Sequence, residues 1–108
     1  MFFFHRPSFA EAEKKARADA AGVFLDVRTR EEYAEGHLPG AVNIPLDELG
    51  SANFGRDRHF YVYCRSGARS ARAAGYLKRR GLFVVDLGGI AGYAGELERG
   101  SDPQKEEK

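Results

Sequence analysis

The chain carries one cysteine, Cys64, where the apolar run Tyr61-Val62-Tyr63 breaks into Arg65-Ser66-Gly67-Ala68-Arg69-Ser70. A lone thiol at a strand end can be a small buried hydrophobe or, once ionised, a nucleophile. The residues after it favour the nucleophile. With a strand before Cys64 and a helix beginning near Ser70, the backbone N–H groups of residues 65–70 can turn toward the sulfur. The helix N-terminus adds partial positive charge. Gly67 allows the tight curvature, since a positive φ costs it nothing sterically. Arg65 and Arg69 bring two full positive charges. Each effect favours S⁻ over SH, so the loop predicts a thiol more acidic than free cysteine. Two arginines, two serines and a glycine in the six residues after Cys64 also make a poor apolar pocket.

The spacing bears on the electrophile. A Cys-x5-Arg phosphatase loop needs its guanidinium six residues after the cysteine, to face a tetrahedral phosphoryl group bidentately. Here that position is Ser70, and Arg69 comes one residue sooner. The ring is short for phosphate and suits a smaller electrophile, such as the outer sulfur of a sulfur donor.

Such a loop needs a strand on one side and a helix on the other. Phe60-Tyr61-Val62-Tyr63 reads as a buried strand running straight into Cys64. From Ser70 to Arg80, Ala71, Ala74 and Leu77 form a small apolar face opposite Arg72, Lys78, Arg79 and Arg80, and Gly81 terminates the helix. Val23 to Val27 and Leu82 to Leu87 are two further strands covered on both faces. Ser8 with Glu11, and Thr29 with Glu32, have capping-box spacing. The first box opens a helix over Phe9 to Ala21, stopped at Gly22; the second opens a short helix that Gly36 ends. From His37 to Pro45, two prolines and a glycine exclude a regular helix and leave a fixed loop with a short strand at Ala41-Val42-Asn43. Leu46 to Ser51 predicts a turn or two of helix, Phe2-Phe3-Phe4 a first strand, and Gly88 to Tyr93 a turn into a short helix.

Strands alternating with helices predict an α/β fold, a small mostly parallel central sheet flanked by helices on both faces. The working site of such a sheet lies at the carboxyl ends of its strands, which is where Cys64 stands. Residues 1–100 are expected to form one domain, with 101–108 a polar, frayed tail.

Composition narrows the function classes. The 108 residues are 43% hydrophobic and 31% charged, with a formal net charge of +1. That balance reads as a globular protein and gives no global reason to expect nucleic acid or a membrane surface as partner. A single cysteine forms no internal disulfide, so a cytoplasmic setting is expected. The three histidines share no metal-ligand spacing with each other or with Cys64, so no metal and no cofactor is expected. Gly88-Gly89-x-x-Gly92 lacks the dinucleotide form, and close backbone packing is its better reading.

The stretch from Leu25 to Pro45, LDVRTREEYAEGHLPGAVNIP, resembles the first signature of the single-domain rhodaneses: Asp-Val-Arg, then Glu-Tyr, then Gly-His-Ile-Pro-Gly-Ala. Cys64 to Ser70, followed by an Ala-rich helix, resembles the active-site loop of that family. Leu87-Gly88-Gly89-Ile90 resembles its closing segment, with Tyr93 where many members carry Trp. The resemblance runs from about Val23 to Gly95. It implies a thiosulfate sulfurtransferase, in which the Cys64 thiolate takes the outer sulfur of a small anionic donor, forms a persulfide and hands the sulfur to cyanide or a thiol. By the same resemblance, the backbone amides of Cys64 to Ser70 (Arg65, Ser66, Gly67, Ala68, Arg69) cradle the persulfide. Arg65 and Arg69 would meet the anionic end of the donor. Asp26, Arg28 and His37 belong to the first signature and are expected to support rather than catalyse, Asp26 and Arg28 by pairing with each other or with loop backbone and His37 by bonding backbone. A variant hands the persulfide to a protein partner. The rivals are a cysteine phosphatase or arsenate reductase on a related fold, disfavoured by the short loop, and a non-catalytic rhodanese-like interaction module, a class that often loses the cysteine this chain keeps.

Overall fold

A computed structural model describes residues 7–102. In chain order the elements are α1 (Phe9–Arg17), β1 (Gly22–Asp26), α2 (Arg30–Glu35), β2 (Val42–Asn43), a 3₁₀ helix (Leu46–Ser51), β3 (His59–Cys64), α3 (Ala68–Arg79) and β4 (Phe83–Gly89). The strands form one sheet in the order β2-β1-β3-β4, and every pairing is parallel. The expected α/β sheet is therefore present, wholly rather than mostly parallel. The phenylalanines at positions 2–4 lie outside the described residues.

The continuous apolar runs are explained by burial on both sides. Successive strand residues point to opposite faces, and each face has its own cover. Leu25, Val27, Phe60, Val62, Cys64 and Val84 pack with Ala73, Ala74 and Leu77 of α3 and Leu49 of the 3₁₀ helix. Phe24, Tyr63 and Leu87 pack on the other face with Ala16 of α1 and Tyr33 of α2. Leu25, Val62 and Leu77 are 1%, 0% and 0% exposed, and burying each contributes roughly 1.5–3 kcal/mol.

Both capping boxes form, Ser8 with Glu11 and Thr29 with Glu32, and each sets the direction of its helix. Three boundaries differ from expectation. The first helix stops at Arg17 rather than Ala21, because Asp19 accepts the Ala21 N–H at 2.9 Å and turns the chain into β1. The helix after Cys64 begins at Ala68, two residues earlier than predicted, with Gly67 as its N-cap. Among the described residues, no helix forms after β4. The Ile90 and Ala91 N–H groups are instead donated to Cys64 O at 2.9 Å and Arg65 O at 3.0 Å, and Gly88 and Gly92 hold positive φ. Asp102, placed by the sequence in the tail, is buried and accepts the Asn43 N–H at 3.0 Å. Among the described residues, no helix is long and apolar enough to cross a membrane.

Candidate active site

Cys64 is the last residue of β3, and its side chain lies on the α3 face of the sheet, fully buried. Its Sγ accepts two backbone N–H groups, from Gly67 at 3.0 Å and from Ser70 at 3.3 Å. Ser70 is the third residue of α3, and its N–H is one of the donors a helix start leaves without an internal partner. An N-cap side chain normally accepts it. Gly67 has no side chain, so the sulfur takes that place. The positive charge of the α3 N-terminus is thereby aimed at Sγ.

The arch between the strand and the helix is held from below by β4. Gly67 sits at φ +105°. Ser70 Oγ donates to Gly67 O at 3.1 Å, which ties the arch to the first turn of α3. Gly89 lies so close under the arch that a Cβ there would meet Arg65 O at 2.5 Å and the Ser66 Cα at 2.7 Å. The glycine pair that ends β4 is thus a backbone-packing device, as its sequence form suggested. Arg65, Ser66 and Ala68 stand exposed on the arch.

The two arginines differ. Arg65 extends outward, with no ion pair or side-chain hydrogen bond among the described residues. Arg69 is clamped by Glu32 of α2: Nη1 donates to Oε1 at 2.7 Å and Nη2 to Oε2 at 3.0 Å. Arg69, with help from the Thr29 backbone and against partial burial, lowers the Glu32 carboxyl to about 2. Glu32 thus stands beside the candidate site, whereas the sequence marked it as half of a capping box and as the Glu of the first signature, with no partner across the fold. A groove of about 750 Å³ begins at Thr29 and Arg69 and follows α3 past Arg72 to Arg79, and Cys64 does not line it.

The first signature builds a brace beside this loop. Arg28 donates to Asp26 through Nη2 at 2.6 Å and to Gly36 O at 2.8 Å, with both side chains buried. Its guanidinium lies over the Tyr63 ring. His37 Nδ1 donates to Tyr33 O at 2.7 Å, and its ring stacks on Tyr33 at 3.5 Å. The Tyr33 hydroxyl donates to Ala41 O, and the Tyr63 hydroxyl accepts the Leu38 N–H at 3.1 Å. Burial raises the Tyr33 hydroxyl to about 12 and pushes Tyr63 up further, so both remain neutral hydrogen-bonding groups. Asp26, Arg28 and His37 make no hydrogen bond to residues 65–70 among the described residues. Tyr33, Tyr63 and Asn43 share the work; in sequence Tyr33 stood out only as the Tyr of the first signature, and Tyr63 and Asn43 only as strand residues, because their partners lie on other elements.

Comparison with known proteins agrees with this arrangement. The family model for the rhodanese-like domain matches residues 8–96. YtwF of Bacillus subtilis is 35% identical over 94 residues, covering 84% of this chain and 91% of that protein. A sulfurtransferase of Allochromatium vinosum is 38% identical over 90 residues, covering 79% of this chain and 84% of its own. The crystal structure of a rhodanese-like domain protein from Staphylococcus aureus superposes with a TM-score of 0.71 at 34% identity, covering 87% of this chain and 96% of that one. With its parallel sheet, its thiol at the end of β3 and its signature brace, the chain belongs to the rhodanese-like family, among whose members are sulfurtransferases.

Proposed function

We propose that this protein is a sulfurtransferase that carries sulfane sulfur as a Cys64 persulfide, with thiosulfate as a donor and cyanide or a thiol, free or on a partner protein, as acceptor. One observation supports it above the rest: Sγ receives two backbone N–H groups where α3 begins. Those donors favour a thiolate at Sγ, the form that takes up sulfur and that is restored when the sulfur leaves.

The first step balances simply. The Cys64 thiolate attacks the outer sulfur of thiosulfate, a new S–S bond forms, and the S–S bond of the donor breaks with its electron pair leaving on sulfite. An anionic acceptor then attacks the outer sulfur of the persulfide and restores the Cys64 thiolate. One transfer is thus divided into two displacements. Gly67 and Ser70 position the sulfur through their N–H groups, Ser66 and Ala68 complete the arch, Arg65 supplies an unpaired positive charge, and Arg69 stands beside it paired with Glu32. Asp26, Arg28 and His37 hold the scaffold.

Incubating the protein with thiosulfate should add the mass of one sulfur atom, removable by cyanide and absent in Cys64→Ser. No adduct with thiosulfate or with a hydropersulfide would overturn the reading. Turnover of an aryl phosphate would support the phosphatase rival instead.

A further inference from the structure

An incoming donor meets two arginines in unequal states. Arg65 is exposed and without a side-chain partner among the described residues. Both terminal nitrogens of Arg69 are already on the Glu32 carboxylate, at 2.7 and 3.0 Å. That fork-to-fork contact occupies the Nη1–Nη2 edge of the guanidinium and balances its charge. Glu32 is itself anchored. Its Oε1 accepts the Thr29 N–H at 2.9 Å, and its own N–H donates to Thr29 Oγ1 at 3.1 Å, closing the capping box of α2. The carboxylate is therefore a fixed part of the site, ionised at any pH near neutral.

Charge bookkeeping makes this matter. Thiolate plus thiosulfate gathers three negative charges in one transition state. Thiolate plus a protonated hydropersulfide, RS–SH, gathers only one: the thiolate attacks the outer sulfur, the S–S bond breaks, RS⁻ leaves and the proton stays on the transferred sulfur. A site whose second guanidinium is neutralised handles the first case less well than the second.

We infer that Glu32 is a specificity-setting positioning residue: by holding Arg69 it leaves Arg65 alone to meet an anionic donor, and so tilts the site from thiosulfate toward hydropersulfides of thiols. The inference rests on the sulfur-transfer reading above and assigns its donor class.

The test uses the full chain with cyanide as acceptor and two donors, thiosulfate and the hydropersulfide of N-acetylcysteine methyl ester released in situ. The Glu32→Gln variant keeps the capping box, since Gln serves at that position as well as Glu, but removes the charge. Its KM for thiosulfate should fall roughly tenfold or more, about the worth of one charge-assisted hydrogen bond. Its kcat should stay within about threefold, and its KM for the hydropersulfide should not change. The Glu32→Gln/Arg69→Gln double variant restores a neutral pair with no free guanidinium, so its thiosulfate KM should return to near the parent value. A thiosulfate KM that is unchanged or raised in a natively folded Glu32→Gln protein overturns the inference. So does a double variant whose KM rises about tenfold, because Arg69 would then be binding donor while paired; this arm stands even where Glu32→Gln alone folds poorly. A parent protein loaded by neither donor would sink the sulfur-transfer reading itself, whereas a loaded parent with unresponsive variants sinks only the role of Glu32.

Discussion

Alanine at Gly89 tests whether the thiol loop rests on β4 as described. A Cβ there would lie 2.5 Å from Arg65 O, 2.7 Å from the Ser66 Cα and 2.8 Å from the Ser66 carbonyl carbon, where ordinary contact begins at 3.4 Å. All three are backbone atoms, so no rotamer change relieves the overlap and the arch must retreat by almost an ångström. Gly89 itself lies outside the left-handed region, so the penalty is purely steric. Overpacking of this kind costs about 1–3 kcal/mol, or about 4–8 °C of Tm per kcal/mol in a domain of this size. The retreat also carries the Gly67 N–H away from Sγ, a contact of 3.0 Å at present. Losing one such bond to a thiolate should slow sulfur loading about tenfold. Gly88→Ala separates the causes, because a Cβ there meets nothing within 4 Å while φ is +93°. That variant should lose about 1–2 kcal/mol through backbone strain and load sulfur at the parental rate. Thermal unfolding by circular dichroism gives the stability arm, and intact mass against time with thiosulfate gives the loading arm. A Gly89→Ala protein with parental Tm and loading rate would refute the seating of the arch, and so would Gly88→Ala slowing loading as much as Gly89→Ala.

Two further substitutions probe the scaffold. Asp26→Ala removes the fully buried carboxylate that faces Arg28, whose own side chain is 8% exposed. The stranded guanidinium should cost about 3–5 kcal/mol in urea unfolding, and a loss under about 1 kcal/mol would show that the pair does not brace the fold. At the opposite end of β3, hydrogen bonds from Tyr61 and His59 lower Asp19 from 3.8 to about 2. A depressed folded pKa stabilises above the unfolded value and is lost as pH falls through the folded one, so this contribution should fade between pH 3.8 and about 2. Asp19→Asn lacks it, and its Tm deficit should shrink as pH is lowered across that window; a constant deficit contradicts the assignment.

What could be read in the sequence and what could not divides along locality. The strands were legible because each is an unbroken apolar run, and a run covered on both faces leaves no other home for Leu25, Val62 or Val84. The starts of α1 and α2 were legible because Ser8–Glu11 and Thr29–Glu32 are complete within three residues. The start of α3 was not, since its N-cap is a glycine in the left-handed region and its third N–H is taken by a sulfur six residues back. The end of α1 was hidden because its Ala-rich run has helical propensity, and only Asp19, committed to His59 and Tyr61 some forty residues on, breaks it. Glu32 shows the limit most plainly. Spacing placed it at the third position of a helix, but the guanidinium that gives it a role is 37 residues away.

Cys64 began as a choice between core filler and nucleophile, and the structure makes the two compatible. Its side chain belongs to the same apolar cluster as Val62, Ala73 and Leu77, and its sulfur answers the N–H that α3 would otherwise leave without an acceptor. A helix start needs an acceptor and a thiolate needs donors, so one pair of contacts meets both needs. That economy explains why Gly67 can occupy the N-cap without a capping side chain, and the arch is held mostly by backbone: the Ile90 and Ala91 N–H groups on the carbonyls of Cys64 and Arg65 and Gly89 beneath, with the Ser70 hydroxyl on Gly67 O. Backbone donors are fixed by the fold and carry no net charge, so they can face a sulfur anion without titrating. The charged groups are left to the rim, where Arg65 stands open and Arg69 is balanced by Glu32. On the proposed reading, holding the sulfur falls to the backbone of the arch, and the choice of donor to Arg65, Arg69 and Glu32.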